Sequence, residues 1–206
     1  ADGATCGMAM LCDTGTCVKS VPGPQKTILI SSLNNAHNGN LGGIAGADAL
    51  CAKEAAAAGR TDVWKAFLSS STQNVKTLIT GFDATDLVVT NIKGDKLFDN
   101  WNDIFDGNSN GDTSYYSFSG RLVDENTGAN PEWSDADGWT GTASNGTVVA
   151  GKTCSDWTSS SGSVTGQNTE LDLSAHQLLK SENRSCNDTL AVICVSVGSK
   201  SVSVNQ

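Results

Sequence analysis

The sequence is poor in proline, histidine and positive charge. It holds 3 Pro, 2 His and 13 Lys+Arg against 22 Asp+Glu in 206 residues, a net charge of −9. The shortage of bases excludes the basic stripe that a nucleic-acid binder needs to neutralise phosphates. No apolar run approaches the roughly 18 residues of a membrane-spanning helix. Histidines occur only at positions 37 and 176, and no Cys-x-x-Cys pair is present, so structural zinc is not expected. The glycine-rich stretch Asn38-Gly39-Asn40-Leu41-Gly42-Gly43 lacks a following Gly-Lys-Ser/Thr, and there is no Gly-x-Gly-x-x-Gly, so no phosphate cradle is implied. Serine is abundant, and the Gly-x-Ser-x-Gly spacing at Gly107-Asn108-Ser109-Asn110-Gly111 falls in an Asn/Gly-rich loop rather than between a strand and a helix, so no nucleophile elbow is implied. A chain with 22 Gly but no three-residue period, and only 17% charged residues, is neither collagen-like, coiled-coil nor wholly disordered. The length suits one domain with a short appendage.

The negative charge is concentrated. Residues 83–137 carry 12 acids and 3 bases, whereas the remaining 151 residues balance at 10 of each. Such a segment is a solvated face in the plain reading. In the functional one it collects cations or steers a basic partner.

Seven cysteines are present: Cys6, Cys12, Cys17, Cys51, Cys154, Cys186 and Cys194. The last four are widely spaced in a chain rich in Ser, Thr, Asn and Gly. That pattern reads as long-range disulfides formed in an oxidising compartment. Four cysteines permit three pairings, and spacing alone does not choose among them. The first three form a small separate group, and three is an odd number. The start at Ala1-Asp2-Gly3 is not a signal peptide, and the inferred disulfides imply an exported parent chain.

Along the chain, residues 1–24 form a Cys-containing lead closed by Pro22-Gly23-Pro24. Lys26–Ser31 is expected as the first strand of the main domain. Ala47–Ala58 is the one strong helix, nearly all Ala, Leu, Lys and Glu, with Gly59 as its stop. Val63–Leu68 is a short apolar element of either type. Thr77–Thr80 and Leu87–Ile92 are strand-like, and Asn100–Phe105 is expected as a short helix. Beyond Asp106 come loops and short strands, at Tyr115–Phe118, Gly138–Thr142, Val148–Val149 and Thr189–Val197. One helix-rich stretch followed by many short strands implies an α+β fold.

A series of blocks then points to a family. Leu41-Gly42-Gly43-Ile44-Ala45-Gly46-Ala47-Asp48-Ala49-Leu50-Cys51 is followed by Lys65-Ala66-Phe67-Leu68-Ser69-Ser70. Then come Lys96-Leu97-Phe98 with Trp101 and Ile104-Phe105, and Tyr116-Ser117-Phe118-Ser119-Gly120. Asn130-Pro131-Glu132-Trp133, Trp139-Thr140-Gly141, Cys154-x2-Trp157, Thr165-Gly166-Gln167, and Cys186 with Ile193-Cys194 complete it. In this order they resemble the endostatin family, the C-terminal domains of collagens XV and XVIII, over about 170 of the 206 residues. The resemblance implies a compact C-type-lectin-like fold, with two helices around a twisted, mostly antiparallel sheet. It also implies nested disulfides, Cys51–Cys194 and Cys154–Cys186. The implied domain is 25–198, with a polar tail at 199–206.

This sequence departs from the family in two ways. The N-terminal histidines of the family's zinc site have no counterpart ahead of the first strand. The arginines that serve heparin binding there are reduced to Arg60, Arg121 and Arg184, far apart in sequence and joined by an acidic segment, so strong heparin binding is not expected. The composition and the Cys-bearing lead resemble bacterial endostatin-like domains of secreted or surface lipoproteins, with a lipid anchor upstream as an option.

Candidate chemistry is sparse. Asp106-Gly107-Asn108-Ser109-Asn110-Gly111-Asp112 places oxygens at alternate positions, with Asp106, Asn108, Asn110 and Asp112 as calcium ligands and Gly at the sixth position for the bend. Position 12 is Ser117 rather than a bidentate Glu, and a plain Asn/Gly turn explains the motif equally. Asp99, Asn102 and Asp103 lie just upstream. The sugar-site motifs of C-type lectins are missing: Asn130-Pro131-Glu132 precedes Trp139, and no Trp-Asn-Asp leads into Cys186. Asp135 and Asp137 form a close acidic pair, but glycosidase carboxylates are placed by the fold and not by this spacing. Of the five tryptophans, Trp133, between charged and polar neighbours, is the one expected to be exposed. Trp133, Asp135 and Asp137 are therefore the partner-contact candidates. The reading is a non-enzymatic cell-surface or secreted binding module for an extracellular protein or glycan. Calcium is its possible ion. A calcium-dependent lectin and, behind it, a hydrolase are the rivals.

Overall fold

The computed structural model describes residues 10–13, 16–19, 27–80, 85–107, 114–123, 136–171, 178–179 and 182–199. Two strands, β1 (Met10–Asp13) and β2 (Thr16–Lys19), pair antiparallel and set Cys12 opposite Cys17 in register. The main domain is a mixed sheet of eight strands: β3 (Ile28–Ser32), β4 (Asp62–Ala66), β5 (Val89–Asn91), β6 (Lys96–Phe98), β7 (Asp137–Trp139), β8 (Thr165–Glu170), β9 (Glu182–Ser185) and β10 (Ala191–Ser199). Its path is β6-β5-β3-β10-β7-β8-β9, with β4 also paired to β10. Only β3/β5 and β10/β7 run parallel; the other ladders are antiparallel. This is the α+β, C-type-lectin-like architecture implied by the sequence.

β10 is central because its sequence suits burial on both faces. Ala191, Ile193 and Val195 enter one core with Ile28, Ile30, Phe67, Trp101, Phe105 and Leu171. Val192 and Cys194 enter the opposite core with Leu33, Ala47, Cys51, Trp64, Trp139 and Trp157. A strand buried on both sides reads as a continuous apolar run, as Ala191–Val195 does.

The helix α1 (Gly43–Ala57) covers the second core. It begins four residues before the Ala-rich stretch that marks it in the sequence. Its buried positions are Ala47, Cys51 and Ala55, one turn apart and small, which lets the helix lie close to the sheet. It ends as expected at Gly59. The Gly59 N–H donates to the Ala56 carbonyl and the Arg60 N–H to the Ala55 carbonyl, while Gly59 has φ +72°. This is a Schellman cap, and it needs the left-handed residue that glycine supplies at least cost.

Several expectations change. Val63–Leu68 resolves as strand β4 over Asp62–Ala66. Thr77–Thr80 is not a strand: Val75–Thr77 is a 3-10 turn, because the Asn74 carbonyl accepts from both the N–H and the Oγ1 of Thr77. The Asn100–Phe105 helix is a 3-10 turn over Asn102–Phe105. Tyr115–Phe118 and Val148–Val149 contribute only isolated bridges, Ser32 with Ser117, Tyr116 with Leu122 and Thr142 with Val148. Strands β8 and β9 had no apolar alternation to announce them.

A second helical element, α2 (Cys154–Trp157), has the opposite hand. Cys154, Ser155, Asp156 and Trp157 all have positive φ, between 49° and 64°. The Trp157 N–H still donates to the Thr153 carbonyl at 2.7 Å, so this is one left-handed α-turn. Left-handed conformation costs about 1–2 kcal/mol per non-glycine residue. Contacts around α2 must therefore offset several kcal/mol. The Cys154–Cys186 disulfide tethers its start, and Trp157 is fully buried at its end.

Candidate functional site

The site candidates fall in two places. Asp106 closes the 3-10 turn Asn102–Phe105, whose Ile104 and Phe105 are buried in the first core and thereby fix its position. Asp106 itself is exposed. Asn108, Asn110 and Asp112, the other members of the proposed calcium loop, lie outside the described residues. Of the upstream oxygens, Asp103 accepts from the N–H and Nδ2 of Asn100, and Asp99 is paired with Lys96. Asp103 thus shapes the turn, while the Asp99–Lys96 pair is exposed on the surface. Among the described residues, no group of three or more His, Cys, Asp or Glu side chains is placed to hold a metal.

The second place is the β7–β8–β9 portion of the sheet. Trp133 and Asp135 lie outside the described residues. Asp137, expected as a partner contact, is instead buried: its side chain is 1% exposed. Its Oδ2 accepts from both Nε and Nη2 of Arg184, each at 2.8 Å. The reason is strand position, since Asp137 opens β7 on the face that packs inward. No local spacing marks Arg184, 47 residues away, as its counter-ion.

Each arginine is committed within the fold. Arg60 Nη2 donates to the Ile92 carbonyl at 2.9 Å, Arg121 Nη2 to the Asn34 carbonyl, and Arg184 to Asp137. Lys93 sits over the Tyr116 ring, 3.7 Å from its centroid. His37 is half-buried, and burial pushes its pKa down against an opposing pull from Glu54. Its carbonyl accepts from Trp139 Nε1, so the residue braces the second core. His176 lies outside the described residues.

The tryptophans Trp64, Trp101, Trp139 and Trp157 are all buried, at most 3% exposed. The sole exposed large hydrophobic side chain among the described residues is Val88, at 37%. The described surface therefore offers polar and charged contacts rather than an apolar patch.

Both long-range cysteine pairs are joined, Cys51 to Cys194 and Cys154 to Cys186. The first staples α1 to the central strand. The second ties the left-handed turn to the strand β9 exit. Residues 28–199 match the family model described as Collagenase NC10 and Endostatin. The chain belongs to the endostatin family. A curated relative is the human collagen alpha-1(XVIII) chain, 29% identical over 174 residues, which cover 83% of this chain and 10% of that one. The chain thus spans about a tenth of that relative's length. No described helix of this endostatin-family domain is long and apolar enough to cross a membrane.

One acid of the domain has a clear electrostatic role. Asp156, on α2, accepts from the Ser71 N–H at 2.8 Å and Oγ at 2.5 Å, and from Thr153 Oγ1 at 3.2 Å. These bonds, the Ser71 side chain foremost, hold its pKa below the usual 3.8. A depressed folded-state pKa gives stability that is complete above the unfolded value and lost as pH falls through the folded one. Acid titration of the folded domain is expected to show a stability loss beginning below about pH 4, and Asp156→Asn is expected to reduce that loss. The carboxylate is largely exposed, so the change is small and is read from urea midpoints at pH 3 and pH 6.

Proposed function

We propose that the domain is a non-enzymatic binding module of a secreted or bacterial cell-surface protein, recognising an extracellular protein through the loops between residues 99 and 145. Residues 25–198 form the module, 1–24 the Cys-bearing tether and 199–206 a polar tail. The observation that carries this reading is the contrast between platform and rim. The platform is fixed by two long-range disulfides and two cores, while Asp86, Asp95, Asp99 and Asp106 stand exposed along the β5–β6 rim. A rigid scaffold presenting charged loops is the ordinary arrangement of a recognition domain. Net charge −9 favours a basic partner surface and a salt-sensitive association. The test is binding to an immobilised panel of extracellular-matrix proteins. The combined variant Asp86→Asn, Asp95→Asn, Asp106→Asn is expected to weaken the interaction about tenfold or more. Binding that ignores both this variant and salt would remove the acidic rim from the account.

The motif Asp106-Gly107-Asn108-Ser109-Asn110-Gly111-Asp112 supports a calcium ion as an accessory of the same rim. Under non-reducing conditions, calcium at 100 times its dissociation constant should add about 2.7 kcal/mol of stability. The melting temperature should rise with calcium, fall back with excess chelator, and lose this response in Asp106→Ala. An unchanged melt would make the segment an ordinary turn.

A further inference from the structure

Among the described residues, β1 and β2 form a two-stranded sheet of their own, separate from the eight-stranded sheet of the main domain. Each strand has only four residues. A two-stranded hairpin by itself is marginally stable at best in water, so one this short needs a further tie.

The register shows where the tie falls. β1 ends at Asp13 and β2 starts at Thr16, so the two residues Thr14-Gly15 connect them. A glycine in a two-residue connection is the ordinary signal of a tight hairpin. Antiparallel pairs alternate between hydrogen-bonded and non-hydrogen-bonded, and the pair that flanks a two-residue turn is of the first kind. Asp13 opposite Thr16 is that flanking pair, so Cys12 opposite Cys17 is of the second kind. Opposed Cα atoms in such a pair stand about 4.5 Å apart. A disulfide spans Cα separations of roughly 4.4–6.8 Å.

The remaining cysteines narrow the choice. Cys51 is joined to Cys194, and Cys154 to Cys186. That leaves Cys6, Cys12 and Cys17, with three possible bonds. The Cys12–Cys17 bond closes across a register that the backbone ladder already sets. Either bond to Cys6 would have to order a further stretch of chain, at a cost in conformational entropy.

We propose that Cys12 and Cys17, opposed in the β1–β2 ladder, are joined by a third intrachain disulfide that staples the hairpin. Seven cysteines are an odd number, so this pairing leaves Cys6 outside any intrachain bond. In the step that forms the bond, each thiol gives up its proton and the two sulfurs join. The two electrons and two protons pass to a disulfide oxidant of the exporting compartment, which leaves as two thiols. The staple supplies what the lead lacks in core, and makes it a covalently closed hairpin ahead of the domain. The inference rests on the reading of residues 1–24 as a tether, and says how that tether is held.

The test is disulfide mapping of the full chain, produced by export into an oxidising compartment. The chain is denatured without reductant in the presence of an alkylating agent, then cut at Met8, Met10 and Asp13, which separates the three cysteines. Mass spectrometry is expected to find the Cys12 and Cys17 fragments linked until reductant is added. Cys6 is expected to carry the alkyl group, or a small thiol or second chain that reductant releases. The variant Cys6→Ser should keep the Cys12–Cys17 link. A link from Cys6 to Cys12 or Cys17, or alkylation of either hairpin cysteine, overturns the proposal. Matrix-protein binding is measured on the same preparation: binding by a chain whose Cys6 is linked to Cys12 would sink the staple and leave the module reading standing.

Discussion

Replacing Cys51 and Cys194 together by alanine is expected to cost about 4–5 kcal/mol of unfolding free energy. The bond joins residues 143 apart, and in the chain-entropy model the cost grows with the logarithm of the loop it closes. The bond also joins the one long helix to the central strand, so its loss frees the α1 layer from the sheet. Both cysteines are fully buried, and alanine avoids placing a new polar group in the core. Cys154→Ala with Cys186→Ala, closing a separation of only 32, should cost about 1 kcal/mol less by the same reasoning. Urea unfolding of the two double variants, each with the other bond intact, measures the order directly. A larger loss from the inner pair would mean that the left-handed turn depends on its tether more than loop length predicts.

Trp157→Ala should remove about 3–5 kcal/mol, the range for truncating a buried tryptophan. Trp157 is fully buried, packs edge-on to Trp139 at 5.9 Å between ring centroids, and donates from Nε1 to the Ser69 carbonyl at 2.8 Å. Its carbonyl accepts from the Leu41 N–H at 2.9 Å, which also ties in the loop before α1. Trp157→Phe separates the two roles: it keeps ring packing and leaves the Ser69 carbonyl without this donor, a loss of about 1–3 kcal/mol. Near-equal losses for the two variants would place the energy in the hydrogen bond rather than in the ring. The expected gap between them is the packing that offsets the strain of four left-handed residues.

The sequence carried the parts of the fold that rest on apolar patterning. Ala47–Ala58 is legible as a helix because alanine at this density has no competing preference, and Thr189–Val197 is legible as a buried strand. The family blocks made the disulfide partners legible as well. The polar strands were not legible. Thr165–Glu170 and Glu182–Ser185 have no alternation, because they are held by backbone ladders and by the Asp137–Arg184 pair rather than by an apolar face. The left-handed turn at 154–157 was equally hidden. Such backbone is normally the province of glycine, and this segment has none, so only the surrounding contacts impose it.

The candidate site followed the same division. Asp135 and Asp137 look alike as neighbouring acids, yet Asp137 turns inward to an arginine that is near only in space. Asn168, fully buried in β8 with no hydrogen-bond partner for its amide, drew no attention in the sequence because a lack of partners is a property of packing. Asp106 is placed only as the exposed residue that closes a 3-10 turn, and the rest of its motif lies outside the described residues.

Saturable binding to extracellular-matrix proteins is the measurement that bears most directly on the account. It should be made with the disulfide-intact domain at low salt, again at about 0.5 M salt, and again after reduction. The account predicts binding to at least one protein of the panel, weakened by salt and abolished when reduction releases α1 and β10 from each other. Absence of saturable binding throughout the panel, or binding undiminished in the reduced chain, would contradict the reading of this endostatin-family domain as a rigid recognition platform.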